Sequence, residues 1–327
     1  MHRSSPHPFA RIPAVVALAL GAACADSAPR APAAAYAPGS FPRTIELPRG
    51  GALRIERAPQ RIVPANAGAF DLLTELVGPE RVAAWPRQIL AYSVLAEAPP
   101  EKLAPWDALP RYERYLAEPL LAADTDLVVS DPWGALETTA RLREAGIAVL
   151  ELPDVATIAD VVTSLRALAA ALGREERAEE VIAGWRAREQ ALRARNAGRG
   201  ATAVAYSYYG SQGACSGAGT TLEEVLALSG LKNAAGHLQG HAPMSFEQLL
   251  ALDPHWILVA RLGEGEGAGG TGALLRSDPV LARLRAVRAQ HVLELSPRLF
   301  ASTSQQMLEA AESLSERLEA ARAGERE

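Results

Sequence analysis

Cysteine is almost absent. Cys24 and Cys215 are the only two, so no disulfide framework holds this chain together, and its folded state must rest on apolar burial. Basic residues are outnumbered, 33 against 38 acidic, and the net charge of −5 excludes the electropositive face that nonspecific nucleic-acid binding requires. The apolar run 12–20 is too short for a permanent bilayer-spanning helix, which needs about 20 residues. A Walker lysine loop, a G-x-S-x-G turn and a Ser/His/Asp arrangement are lacking too, so no enzyme that hydrolyses ATP or esters is indicated.

What the sequence holds instead is a repeated phrase. Glu118-Pro119-Leu120-Leu121-Ala122-Ala123-Asp124 leads into the apolar Leu127-Val128-Val129, and Glu247-Gln248-Leu249-Leu250-Ala251-Leu252-Asp253 leads into Trp256-Ile257-Leu258-Val259. Each reads as a short helix feeding a buried strand. The echo continues in Val149-Leu150-Glu151-Leu152 and Val292-Leu293-Glu294-Leu295, each after a basic-rich helical stretch. Two similar α/β lobes are implied, each burying its own sheet, with a crevice between them where a ligand can be enclosed. The length of 327 residues also exceeds what one core usually fills.

Residues 1–23 read as an export signal: Arg3 and Arg11, the apolar run, then Gly21-Ala22-Ala23 before Cys24. A cysteine straight after small residues resembles a bacterial lipobox. That makes Cys24 a candidate lipidation site and places the mature chain in the periplasm or cell envelope, anchored to the membrane; the alternative is simple cleavage and a free periplasmic protein. Residues 24–43, rich in Ala and Pro, suit a tether. An N-terminal α/β lobe then spans 44–153, linking helices 154–200 and a C-terminal α/β lobe 201–327. Within these, the patterning predicts a hairpin at 44–56 and helices at 69–77, 154–172 with Asp154 as cap, 174–195, 220–228 and 303–321. Strands are expected at 82–85 and 201–206, and 207–219 reads as a loop. A helix of about 20 residues extends roughly 30 Å, enough to join two lobes rigidly.

From residue 61 to about 318 the pattern resembles the periplasmic substrate-binding proteins of ABC importers for iron siderophores, haem and vitamin B12. The resemblance rests on Arg61-Ile62-Val63 with its Asn/Ala/Gly loop, on Gly217-Ala218-Gly219-Thr220-Thr221-Leu222-Glu223-Glu224 running to Gly230-Leu231-Lys232-Asn233, and on the repeated helix and strand. It implies two α/β lobes joined by one long helix, with a ligand cleft between them. It implies an iron chelate, haem or corrinoid as ligand and, as partner, a permease dimer with ATPase subunits. It implies neither catalysis nor a resident cofactor. In that family a glutamate on each lobe docks into arginine pockets of the permease, and the repeat carries this role to Glu118 and Glu247.

Loops at the carboxyl ends of strands should line the cleft. Asn66, Trp85, Tyr112, Trp133, Tyr208, Tyr209, His241 and Arg298 are the candidate ligand-binding residues, because rings cover a flat ligand at small entropic cost and arginine meets carboxylates. Tyr92, Trp106, Tyr206, Phe300, Arg87 and Arg261 belong to the same regions. Vitamin B12 binders of the family carry tryptophan six residues before each docking glutamate, where this chain has Tyr112 and His241. That departure weakens the corrinoid and leaves room for an iron chelate or haem.

Two other readings stand beside this one. His237 and His241 have the i, i+4 spacing of a helical metal site, which would suit a free-metal (zinc or manganese) receptor, but Gly236 and Gly240 oppose a helix there. Gly265-Glu266-Gly267-Ala268-Gly269-Gly270 fits G-x-G-x-x-G, the fingerprint of a dinucleotide-dependent oxidoreductase. Glu264 and Glu266 would repel a pyrophosphate, and a surface insertion explains the run better.

Overall fold

The first described segment is a hairpin that closes onto helices more than a hundred residues away. A computed structural model describes residues 39–131, 135–210, 212–261 and 270–324. Strands β1 (Arg43–Glu46) and β2 (Ala52–Ile55) pair antiparallel. Their inward residues Ile45 and Ile55 are buried, and the Arg43 guanidinium bonds the Ala170 carbonyl at 2.8 Å and the Glu175 carboxylate. A buried cation keeps its charge only with such partners.

The N-terminal lobe is built on β3 (Ile62–Pro64), followed by α1 (Ala67–Thr74), α2 (Ala117–Ala122), β4 (Leu127–Ser130), α3 (Leu136–Glu144) and β5 (Ala148–Glu151). The strands form a parallel sheet in the order β3-β4-β5. Helices α4 (Ile158–Leu172) and α5 (Glu175–Arg195) follow, separated by Gly173 in the left-handed region. The C-terminal lobe repeats the plan: β6 (Thr202–Tyr208), β7 (Gly213–Ser216), α6 (Thr221–Leu228), β8 (His241–Pro243), α7 (Phe246–Leu252), β9 (Trp256–Ala260), β10 (Val292–Leu295), α8 (Pro297–Phe300) and α9 (Gln306–Gly324). Its centre is again a parallel trio, β6-β9-β10, extended by antiparallel β7 and β8.

The repeat reaches backbone level. Helices α2 and α7 each feed the middle strand of their trio, and each carries its glutamate, Glu118 or Glu247, at the second helical position. Each is followed by an aspartate at positive φ, Asp124 at 53° and Asp253 at 35°. Aspartate tolerates that region better than most residues, so one short residue in each half turns the chain from helix to strand.

Side chains alternate along the strands, and the two faces go to different cores. Val63, Val128 and Val149 pack with Leu120 and Leu142 on the outer side of the N-terminal sheet, and Val204, Ile257 and Val259 pack with Leu249 and Leu275 on the outer side of the C-terminal one. The opposite faces meet in one core: Ile62, Leu127, Val129 and Leu150 of the first sheet and Ala203, Ala205, Trp256 and Leu258 of the second join Leu165, Ile182, Trp185, Leu226, Leu308 and Leu314 of the helices. The lobes therefore do not bury their sheets separately, as the sequence suggested. Burying each Leu or Ile in such a core stabilises by about 1.5–3 kcal/mol.

Several element edges differ from expectation. Helix α4 starts at Ile158 with Thr157 as cap in a reciprocal box with Asp160, and Asp154 caps nothing. The segment 207–219 contains β7, and α9 begins three residues later than predicted.

Candidate ligand cleft

Asn66 follows β3 with extended backbone (φ −153°), which frees its side chain to cap α1. Its Oδ1 accepts from Ala69 N at 2.9 Å, satisfying an otherwise orphaned helix donor, while Nδ2 donates to Asp131 Oδ2. Asp131 lies just past β4, and residues 152–155 just past β5. These carboxyl ends face the turn 301–303 between α8 and α9. The ends of β3 and β4 and that turn border a cavity of about 320 Å³ lined by Asn66, Gly68, Asp71, Gln88, Tyr92, Asp131, Ser302 and Thr303. A smaller cavity of about 60 Å³ adjoins it, sharing Asn66, Asp131 and Thr303 and adding Asp154 and Val155. Gly68 is required there, because a Cβ would collide with Thr303 Oγ1.

Beneath the cavity the lobes are joined by polar contacts. Asp71, on α1 and 1% exposed, accepts from Val94 N at 2.8 Å, from Ser304 Oγ at 2.7 Å and from Gln306 Nε2. Burial raises its pKa to about 7 against the pull of those donors and of Arg298. Arg298 donates to Glu97 Oε2 at 2.8 Å, Gln306 Oε1 at 2.8 Å and Glu309 Oε2 at 2.9 Å. Its guanidinium is thus consumed within the protein, and the expectation that it meets a ligand carboxylate is corrected.

Four ring assignments change as well. Trp85 is fully buried, stacked on Phe70 at 5.9 Å with Arg111 over its face, and Trp106 meets Phe70 edge-on at 4.9 Å. Both are core residues. Tyr112 is buried, and its hydroxyl donates to the Pro64 carbonyl at 2.6 Å; it holds the end of β3 in place instead of touching the cavity. Burial also pushes that phenol well above its ordinary pKa. Tyr206 is buried in the C-terminal core. Phe300 is half-buried against the shared core, whereas Tyr92 is exposed and lines the cavity.

In the C-terminal lobe, Tyr208 ends β6 with its ring 5.1 Å from Phe246 and its hydroxyl donating to Gly210 O at 2.9 Å. The two rings line a third cavity, about 340 Å³, with Gln212, Pro243, Met244 and Glu247. Tyr209 is 75% exposed, and His241 sits exposed on β8 with Nδ1 3.3 Å from Ser216 Oγ. His237 lies in a turn, not a helix, and no cluster of three or more metal-binding side chains occurs among the described residues. Cys215 is buried, a packing residue. Trp133, Cys24 and all but the last glycine of the Gly265–Gly270 run lie outside the described residues.

Glu118 is exposed with Arg141 Nη1 at 3.4 Å, and Glu247 is fully exposed, its carboxyl held below the usual range by Ser245 and its own backbone N–H. No described helix is long and apolar enough to cross a membrane.

Among solved structures, an ABC-type Fe3+-hydroxamate transport system protein from Saccharomonospora viridis has a TM-score of 0.71 at 19% identity, covering 85% of this chain and 99% of that chain. The periplasmic haem-binding protein RhuT of Roseiflexus sp. RS-1 gives 0.69 at 24% identity, covering 81% and 99%. A periplasmic haem-binding protein of Pseudomonas aeruginosa gives 0.67 at 25% identity, covering 79% and 92%. No curated protein sequence matches. The periplasmic binding protein family model matches residues 104–299, a span that takes in both glutamate-bearing helices, two of the three strands of the N-terminal sheet and all three of the C-terminal parallel trio. That match covers more than half of the sequence, and with the doubled α/β plan it means that the chain belongs to the periplasmic binding protein family.

Proposed function

We propose that this protein is an exported solute-binding protein that captures a metal chelate, namely an iron siderophore or haem, or a corrinoid, between its lobes and delivers it to an ABC permease. The observation that carries the reading is the matched pair of exposed glutamates: Glu118 and Glu247 occupy the same helical position in two copies of one unit. A solvated first-turn glutamate is common on any helix. Two at equivalent places on separate lobes form a two-point charged contact that fixes orientation on a dimeric partner as well as adding affinity. The Fe3+-hydroxamate and haem-binding relatives support the ligand class. Asn66, Tyr92, Tyr208, Tyr209 and His241 are the ligand-facing candidates among the described residues that remain after Trp85, Tyr112 and Arg298 are removed.

Glu118→Ala and Glu247→Ala should each leave solute affinity of the purified protein unchanged and impair uptake in cells. Loss of solute binding in the purified variants would put these carboxylates in the pocket and remove the docking role.

A further inference from the structure

The cavity of about 340 Å³ in the C-terminal lobe lies where β6 and β8 end and α7 begins, and the Glu247 carboxylate is part of its lining. The half-buried rings of Tyr208 and Phe246 line it as well, 5.1 Å apart and 33° from parallel. Two amide side chains, Gln212 and Gln248, complete its polar lining, and Gln248 is held in place by accepting from Ser245 N at 2.8 Å. A carboxylate beside aromatic faces suits a flat, delocalised cation. A guanidinium can offer the carboxylate two parallel N–H bonds, lay its plane on a ring and give its remaining N–H groups to amide oxygens. A lysine ammonium is compact and strongly hydrated, and gains less from such walls. The other copy of the repeat makes the same pairing within the chain: Glu118 stands where Glu247 stands, and Arg141 Nη1 lies 3.4 Å from it. There Ala117 occupies the position of Phe246, so the ring beside the glutamate belongs to the C-terminal lobe.

We propose that this cavity is a socket for an arginine side chain of the permease, its guanidinium on Glu247 and against the rings of Tyr208 and Phe246. This rests on the docking reading above and deepens it, and it moves Tyr208 from the solute-facing residues to the partner-facing ones. Docking is then unequal between the lobes. An incoming arginine has to displace Arg141 at Glu118, whereas at Glu247 it gains an aromatic wall and displaces no basic side chain among the described residues. Rings around the ion pair also keep water from it, which strengthens the attraction.

Titration of the isotope-labelled protein with N-acetyl-arginine amide, N-acetyl-lysine amide and the uncharged N-acetyl-citrulline amide, followed in amide proton–nitrogen correlation spectra, tests the socket. The arginine probe should shift the signals of Gly213, Phe246 and Glu247 and bind at least about fivefold more tightly than either of the others. Phe246→Leu and Glu247→Gln, the second a fully exposed position on which folding does not depend, should each weaken it by at least about threefold. In cells, Phe246→Leu should impair uptake as Glu247→Ala does, and both should impair it more than Glu118→Ala. Equal binding of the three probes, arginine binding unchanged in Glu247→Gln, or normal uptake by Phe246→Leu would each overturn the socket. Normal uptake by Glu247→Ala would instead remove the docking reading on which it rests.

Discussion

Asp71 is a carboxylate almost wholly buried at the floor of the cavity, surrounded by three donors and a guanidinium two bonds further on. Desolvation outweighs those donors and lifts its pKa to about 7, above the value of about 3.9 in an unfolded chain. The folded state therefore binds the proton more tightly than the unfolded one. Its stabilising contribution is complete below about pH 4 and is lost as pH rises through about 7, with a slope of at most about 1.4 kcal/mol per pH unit. Chemical denaturation of the wild type and of Asp71→Asn at pH 4.5, 5.5, 6.5 and 7.5 should show that slope in the first and its loss in the second. Equal slopes would mean that the donors keep Asp71 ionised throughout. At this scale the sequence was a weak guide. Trp85 and Trp106 follow or precede strand-like segments, as cleft residues do, but the same ring fills a core equally well and nothing local tells which face it takes. Asp131, Ser302 and Thr303 escaped notice because their significance comes from a meeting of segments some 170 residues apart.

Periodic features were the legible ones at the scale of elements. The helices before β4 and β9 and the strands themselves follow from apolar runs bounded by caps. Strand β7, with the sequence Gly213-Ala214-Cys215-Ser216, carries little strand propensity of its own and exists because β6 offers it a partner edge. The start of α4 was misjudged for a related reason. Asp154 and Thr157 are both competent caps, and the choice falls to Thr157 because Asp160, three residues on, bonds back to the Thr157 N–H at 2.8 Å. Thr157→Ala should cost about 1 kcal/mol in urea denaturation. Asp154→Ala should cost nothing measurable, and a comparable loss there would return the cap to Asp154.

For the whole molecule, the decisive property is the core that both sheets share with α4, α5, α6 and α9. A helix without proline bends only gently, and α5 has none. With a common apolar layer beneath it, large opening would expose buried side chains from both lobes, so small-angle scattering with and without ferrioxamine B or haemin should show little change in radius of gyration. A marked contraction on binding would reveal a hinge that the shared core does not accommodate. The lipobox reading of Cys24 is tested on the intact chain too: on that reading Cys24→Ser should move the protein from the membrane fraction to the soluble one, since a lipid attached through that thiol would be lost, and unchanged partition would remove the lipid anchor. The two-lobed plan was readable from the repeat because duplication writes the same pattern twice. The fusion of the inner cores was not, because alternation along a strand says which side chains share a face but not what covers it.

Asp71 and the Ser304 hydroxyl that closes over it are separated by 233 residues. A ribosome adds about 5–20 residues per second, so α1 emerges and then waits on the order of ten seconds to a minute for the segment that seals it. During that interval the shared core, to which the inner face of the first sheet contributes Ile62, Leu127 and Leu150, lacks Leu308 and Leu314 of α9. The growing chain therefore cannot complete its core domain by domain. It stays threadable until late in its own synthesis, and its yield in a cell should depend on holdase chaperones that shield that face while the missing helix is made.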